Sequence, residues 1–151
     1  MITEIEQETL DIDWFLTDGK YIRFMASGGG KLPDSVAKSS DNNKVLVSYF
    51  RSLPEISDFI ANPELDALLI ERSGTGVNER YLEDYVLMTK KGLYSFDKTI
   101  PCNFLDPYYH LVASPIIPLI INDLPKDILE ILMETQCSAG MNAIIDVSII
   151  Q

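Results

Sequence analysis

Several groups of residues have the types and spacing that chemistry uses. The run Gly28, Gly29, Gly30, Lys31 suggests a phosphate loop, because flexible glycines can aim backbone N–H groups at an anion and a lysine adds charge. The pattern departs from known loops in detail. A Walker A loop continues into Ser or Thr after its lysine, whereas Leu32 and Pro33 follow Lys31; a dinucleotide loop spaces its glycines GxGxxG and opens a helix. A flexible connection is the competing reading. Asp11 and Asp13 share one face if a strand starts that early, a spacing that holds a divalent cation with Asp18 nearby. Capping and turn roles compete there, since Asp18 precedes Gly19 in a turn. His110 is the only histidine, so it makes no His-based metal site by itself. A nucleophile pair would need Cys102, Cys137 or a serine to reach it through space, and no GxSxG elbow is present. The reading preferred for His110 is structural, buried and hydrogen-bonded. Cys102 and Cys137 lack CxxC spacing, so reduced thiols are expected rather than a disulfide framework or a zinc site, and no cofactor or metal is expected.

Charge narrows the classes of partner. Twelve Lys and Arg against twenty-three Asp and Glu give a net charge of −11. A bare phosphate backbone or an anionic membrane repels such a chain at long range, so neither nucleic acid nor membrane is expected. The acidity either serves solubility or complements a basic protein partner. The start, MITEIEQETLDID, carries acids where a signal peptide needs a basic region and an apolar core. The most apolar stretch, 111–121, is broken by Pro115 and Pro118. A cytoplasmic protein is expected. At 151 residues the chain suits one domain, 1–151, that buries roughly 70% of its unfolded surface.

Local patterning supplies the elements that must position these residues. Trp14, Phe15, Leu16 and the run 21–25 flank Asp18-Gly19, which predicts a β-hairpin with Ile22 and Phe24 facing a core and Arg23 reaching solvent. Trp14 is expected to be buried. Residues 1–10 suggest a short helix or strand, and 32–36 a helical turn entered through Pro33. Leu46, Tyr49, Phe50 and Leu53 define one face of a helix over 41–53, with Asp41 as N-cap and Pro54 as stop. Two short helices are predicted at 55–61 and 63–70, then a loop over 73–76. A helix over 78–91 has Tyr81, Leu82 and Tyr85 inward and ends at Gly92. Strands are expected at 93–96, 108–113 and 118–121. After them come a helix capped by Asn122 or Asp123 that runs to 134, and a last strand over 143–150, central or paired on both sides. The order of elements fits α+β: an N-terminal β-hairpin, a run of helices, then an antiparallel or mixed sheet with a late helix and a C-terminal strand.

Beyond these local readings, DIDWF at 11–15, Asp18-Gly19 with Ile22 and Phe24, SGG at 27–29 with Leu32-Pro33, RYLED at 80–84, KGLYSFD at 91–97 and NDLP at 122–125 give a full-length resemblance. The chain resembles small acidic bacterial proteins associated with immunity genes of polymorphic or contact-dependent toxin systems. The resemblance implies a non-enzymatic inhibitor that binds a cognate toxin, possessing no catalytic residues and using acidic surface to meet a basic toxin domain. Asp34, Glu55, Asp58, Glu64 and Asp66 are the candidate partner-binding acids. An alternative is a small hydrolase or nucleotide-binding enzyme using the 28–31 loop and His110. Convergence of His110, Cys102 and a carboxylate in one cleft would favour it. A structural or interaction subunit of another assembly is the third reading. Oligomeric state is not legible at this level.

Overall fold

The computed structural model describes residues 1–74, 76–138 and 143–150, with backbone alone at 72 and 73. Its organising element is the hairpin of β1 (Asp13–Thr17) and β2 (Ile22–Ala26), paired antiparallel with Trp14 opposite Met25 and Leu16 opposite Arg23. The turn forms where the sequence places it. Asp18 Oδ1 accepts from the amides of Lys20 at 2.9 Å and Tyr21 at 2.8 Å, and Gly19 takes the φ of 99° that a side chain would resist.

Preceding the hairpin, α1 (Glu4–Thr9) opens with a reciprocal Thr3–Glu6 capping box. After it come α2 (Asp34–Ala37), entered through Pro33, and α3 (Ser40–Ser52). Ser39, not Asp41, caps α3: its hydroxyl accepts from the Asn42 amide at 3.1 Å, which leaves Asp41 in the first turn, where the helix dipole favours an acid. The helix expected over 55–61 is instead an extended segment ending in β3 (Phe59–Ala61). Pro63 disfavours helical geometry at Asn62, and pairing of residues 58–62 with residues 112–116 satisfies the backbone as a strand instead. α4 (Leu65–Ser73) ends on Gly74 at φ 78°, one residue into the loop expected from Ser73; Thr75 lies outside the described residues. α5 (Glu79–Lys90) ends at Gly92, as its punctuation predicts, and is capped by Asn78, whose side chain accepts from the Tyr81 amide at 2.8 Å.

The remaining strands are β4 (Tyr94–Lys98), β5 (Tyr108–Pro115) and β6 (Ile144–Asp146), with α6 (Lys126–Leu132) between the last two. Residues 118–121 form no strand, only a single bridge from Ile120 to Tyr21 and a 3-10 turn over Ile121–Asp123. α6 starts later than expected and ends sooner. Pro125 occupies its N-cap position, and the chain turns off at Met133. The last strand is short, pairs among the described residues with β5 alone and passes into a second 3-10 turn, Val147–Ile149, where a central or doubly paired strand was expected.

The sheet runs β1-β2-β4-β5-β3, with β6 sharing the outer side of β5. β2 and β4 pair in parallel and the other named strands antiparallel, a mixed sheet within an α+β fold. Both faces are covered. Phe15, Ile22 and Phe24 pack on Leu46 and Phe50 of α3, Met88 of α5 and Leu132 of α6. Trp14, Leu16 and Met25 pack on the other side with Leu32, Val36, Phe96 and Tyr109. This two-sided cover corrects the expectation for Arg23. It stands opposite Leu16 on the second face, fully buried, its guanidinium 5.7 Å from the centre of the Phe96 ring and 3.8 Å from Asp18 Oδ2.

Candidate functional site

The glycine loop is a packing device built around a lysine. Lys98, the last residue of β4, is fully buried; its ammonium donates to the Asp106 carbonyl and lies 3.0 Å from Asp106 Oδ2. Its alkyl stem runs under the loop. A Cβ on Gly30 would sit 2.5 Å from Lys98 Cε, one on Gly28 2.9 Å from Lys98 Cβ, and one on Gly29 3.0 Å from the Glu8 carbonyl. Gly28 and Gly30 are required because nothing larger fits against that stem, and Gly29 because of its φ of 77° and the Glu8 carbonyl. Neighbouring amides are occupied as well. Gly28 donates to Asp11 Oδ1 at 2.9 Å, Gly30 to the Ser27 carbonyl at 2.8 Å, Lys31 to the Phe104 carbonyl at 2.9 Å and Leu32 to Gln7 Oε1 at 2.9 Å. Four of the five N–H groups that residues 28–32 could offer a phosphate are thus engaged within the protein.

His110 is buried, and the topology brings to it partners far away in sequence. Asp97 is its cross-strand neighbour on β4, and Tyr81 reaches in from α5. The Tyr81 hydroxyl donates to Asp97 Oδ2 at 2.6 Å and stands 3.5 Å from His110 Nε2, while Thr99 Oγ1 lies 3.2 Å from Nδ1. Beside them, burial and then the Asp97 charge push the Tyr85 phenol far above its ordinary pKa. The carboxylate of the enzyme reading is therefore present next to His110. Cys102 is held elsewhere: its amide donates to the Gly28 carbonyl at 2.8 Å, its φ is 60°, and its side chain is exposed, whereas Cys137 is buried.

The early aspartates serve the fold in different ways. Asp11 caps Gly28 and Asp18 holds the hairpin turn. Asp13 accepts from Arg51, whose guanidinium also forks onto Asp84 at 2.8 and 3.0 Å. These bonds, with Asp84 the leading contributor, raise the Arg51 pKa, while burial holds Asp13 above the usual carboxylate range despite its partner. Among the described residues no group of three or more His, Cys, Asp or Glu is placed to hold a metal, and no helix is long and apolar enough to cross a membrane.

All five candidate partner-binding acids are exposed, but they do not share one place. Asp34 borders a hollow of about 290 Å³ between residues 31–34, residues 104–107 and the C-terminal turn. Asp58 lies beyond the other end of β5, where its carbonyl accepts from the Ile116 amide at 3.1 Å. Glu55, Glu64 and Asp66 occupy the same stretch as Asp58, before β3 and at the start of α4. Arg51, Tyr81, Asp97 and Lys98 carry the polar organisation of the interior, and local sequence gives no sign of it because their partners lie on other elements. No protein-family model, curated protein or solved structure matches the chain.

Proposed function

We propose that the protein is a non-enzymatic binding module, an immunity-like inhibitor that neutralises a toxin inside the cell that makes both. The observation that carries this reading is the charge of −11 combined with the exposure of Asp34, Glu55, Asp58, Glu64 and Asp66. Such a surface steers a basic protein domain toward it and speeds association, an effect that weakens as salt rises. The engagement of the 28–31 loop by Lys98 and by protein carbonyls adds support, since it leaves those glycines a packing role. The test is co-expression with the product of the adjacent reading frame. The expected result is rescue of growth and a one-to-one complex whose association rate falls with ionic strength more than its dissociation rate rises. A non-toxic neighbour, or toxicity undiminished by abundant folded protein, would favour the reading as a structural subunit of another assembly.

One observation favours the small-hydrolase reading, the approach of Asp97 and Tyr81 to His110. Against it stand the burial of His110 and the placement of Cys102 at the Gly28 loop. An ester- or phosphoester-cleaving activity lost in His110→Gln, with unchanged folding, would reverse the order of the two readings.

A further inference from the structure

The far edge of the sheet carries an exposed apolar strand in an acidic frame, and this deepens the binding reading on which it rests. β3 ends the sheet, and β5 is its only strand partner among the described residues. The Asn62 amide donates to the Val112 carbonyl and the Ile116 amide to that of Asp58, so residues 58, 60 and 62 turn their backbone groups to β5. By the antiparallel alternation Phe59 and Ala61 turn theirs outward; the Asp58 carboxylate accepts from the Phe59 amide at 2.9 Å, so the Ala61 N–H is the donor that β3 offers at this edge. The opposite edge is partly closed: the Thr17 amide donates to the Thr135 carbonyl, the Cys137 amide to that of Thr17, and Asn43 Nδ2 to the carbonyl of Asp13.

Isoleucines surround the open edge. Ile60 is 59% exposed, and Ile116 and Ile117, tied across to Asp58 and Ser57, are 57% and 58% exposed. Ile56, bonded to the carbonyl of Lys90, is 43% exposed. Exposed apolar groups gathered at one edge are what soluble proteins ordinarily avoid unless something covers them. Charge identifies the occupant. Between Arg51 and Arg72 the chain carries Glu55, Asp58, Glu64, Asp66 and Glu71 and no Lys or Arg, and residues 111–125 carry no cation either. Lys90, stacked 5.9 Å from the Phe59 ring, is the cation beside β3.

We infer that the outward edge of β3 accepts an extended segment of a partner protein by strand addition. The segment alternates apolar side chains, which rest on Ile56, Ile60 and Ile116, with basic ones that meet Glu55, Asp58 and Glu64. A second copy of this chain would set acid against acid and is disfavoured.

The probe is a short labelled peptide alternating lysine with valine, compared with its glutamate–valine counterpart. Fluorescence anisotropy reads affinity, and backbone amide NMR shifts locate the site. The lysine peptide should bind and shift residues 58–62, while the glutamate peptide should not bind. Ala61→Pro removes an outward N–H and leaves the ladder to β5 intact, and should weaken the lysine peptide by about tenfold or more. Ile60→Lys keeps the backbone and should do the same, with melting curves confirming that both variants fold. No binding, shifts elsewhere, or equal affinity for the two peptides or for the folded variants overturns the proposal. Self-association of the protein alone that Ala61→Pro abolishes would also overturn it, in favour of a second copy. Full growth rescue by folded Ala61→Pro would reject this surface and leave the immunity reading standing, whereas peptide binding without any rescue would do the reverse.

Discussion

Trp14 on β1 stands edge-on to Tyr109 on β5, with ring centroids 5.7 Å apart and planes at 85°. Two strands, β2 and β4, lie between them in the sheet. In a flat sheet backbones three strand spacings apart are separated by about 14 Å, so the contact reports both the reach of two large rings and the curl of the sheet toward that face. Trp14→Ala removes the ring from a fully buried position and is expected to cost about 3–5 kcal/mol, measured by urea unfolding. Native tryptophan emission should lie well to the blue of hydrated indole; a hydrated maximum would contradict the burial.

The same pair gives a sharper expectation. The Tyr109 hydroxyl and the Trp14 indole N–H are buried without a hydrogen bond of good geometry, and burial pushes the phenol pKa well up even with the indole beside it. Tyr109→Phe keeps the ring and deletes an unsatisfied polar atom. Stability should change by less than about 1 kcal/mol or increase; a loss comparable to that of Trp14→Ala would show that the hydroxyl holds a partner.

Gly30→Ala forces a Cβ to within 2.5 Å of Lys98 Cε, and the lysine cannot withdraw while its ammonium is held by Asp106. We expect a loss of about 1–3 kcal/mol, the range for overpacking. Gly19 has open space and requires only its positive φ. Gly19→Asn, a residue that tolerates the left-handed region, should therefore cost less. Equal losses at the two positions would argue against the Lys98 cradle.

Asp13 supplies the pH test. Its folded pKa is raised, by burial first, with the Arg51 hydrogen bond opposing. Because the folded state then takes up the proton before the unfolded state does, Asp13's contribution is fully present below its ordinary carboxylate pKa and is lost as pH rises through the folded value. The stability of the wild type relative to Asp13→Asn should accordingly grow as pH falls from neutrality through the acid range. A difference that shrinks with acid would mean that Arg51 more than compensates the burial.

Which features were legible follows from how local their causes are. The hairpin, Trp14 in the core and the helix ending at Gly92 were readable because Asp18-Gly19, the aromatic run and the Gly92 stop act within a few residues. Arg23 misled because alternation assigns faces, not what covers them, and here both faces are covered. β3 was read as part of a helix because the eight residues between Pro54 and Pro63 show no strand alternation strong enough to declare it, and its strand character comes from β5, distant in sequence. The glycine run announced itself, but its reason, the Lys98 stem, is nonlocal. His110 was placed correctly as buried and hydrogen-bonded, while Tyr81 and Asp97 became its neighbours only through the meeting of α5, β4 and β5.

The parallel pairing of β2 with β4 also dictates an order of events in time. The hairpin cannot gain its second neighbour until the whole span from residue 27 to 93, with four helices and an edge strand in it, has been made and folded back. Closing so long a loop is entropically expensive before any contact compensates for it, and such topologies fold slowly. On the ribosome the strand Ile22–Ala26 therefore waits with an unpaired side until Lys98 has emerged, and that interval is when the nascent chain is most open to mispairing or chaperone capture.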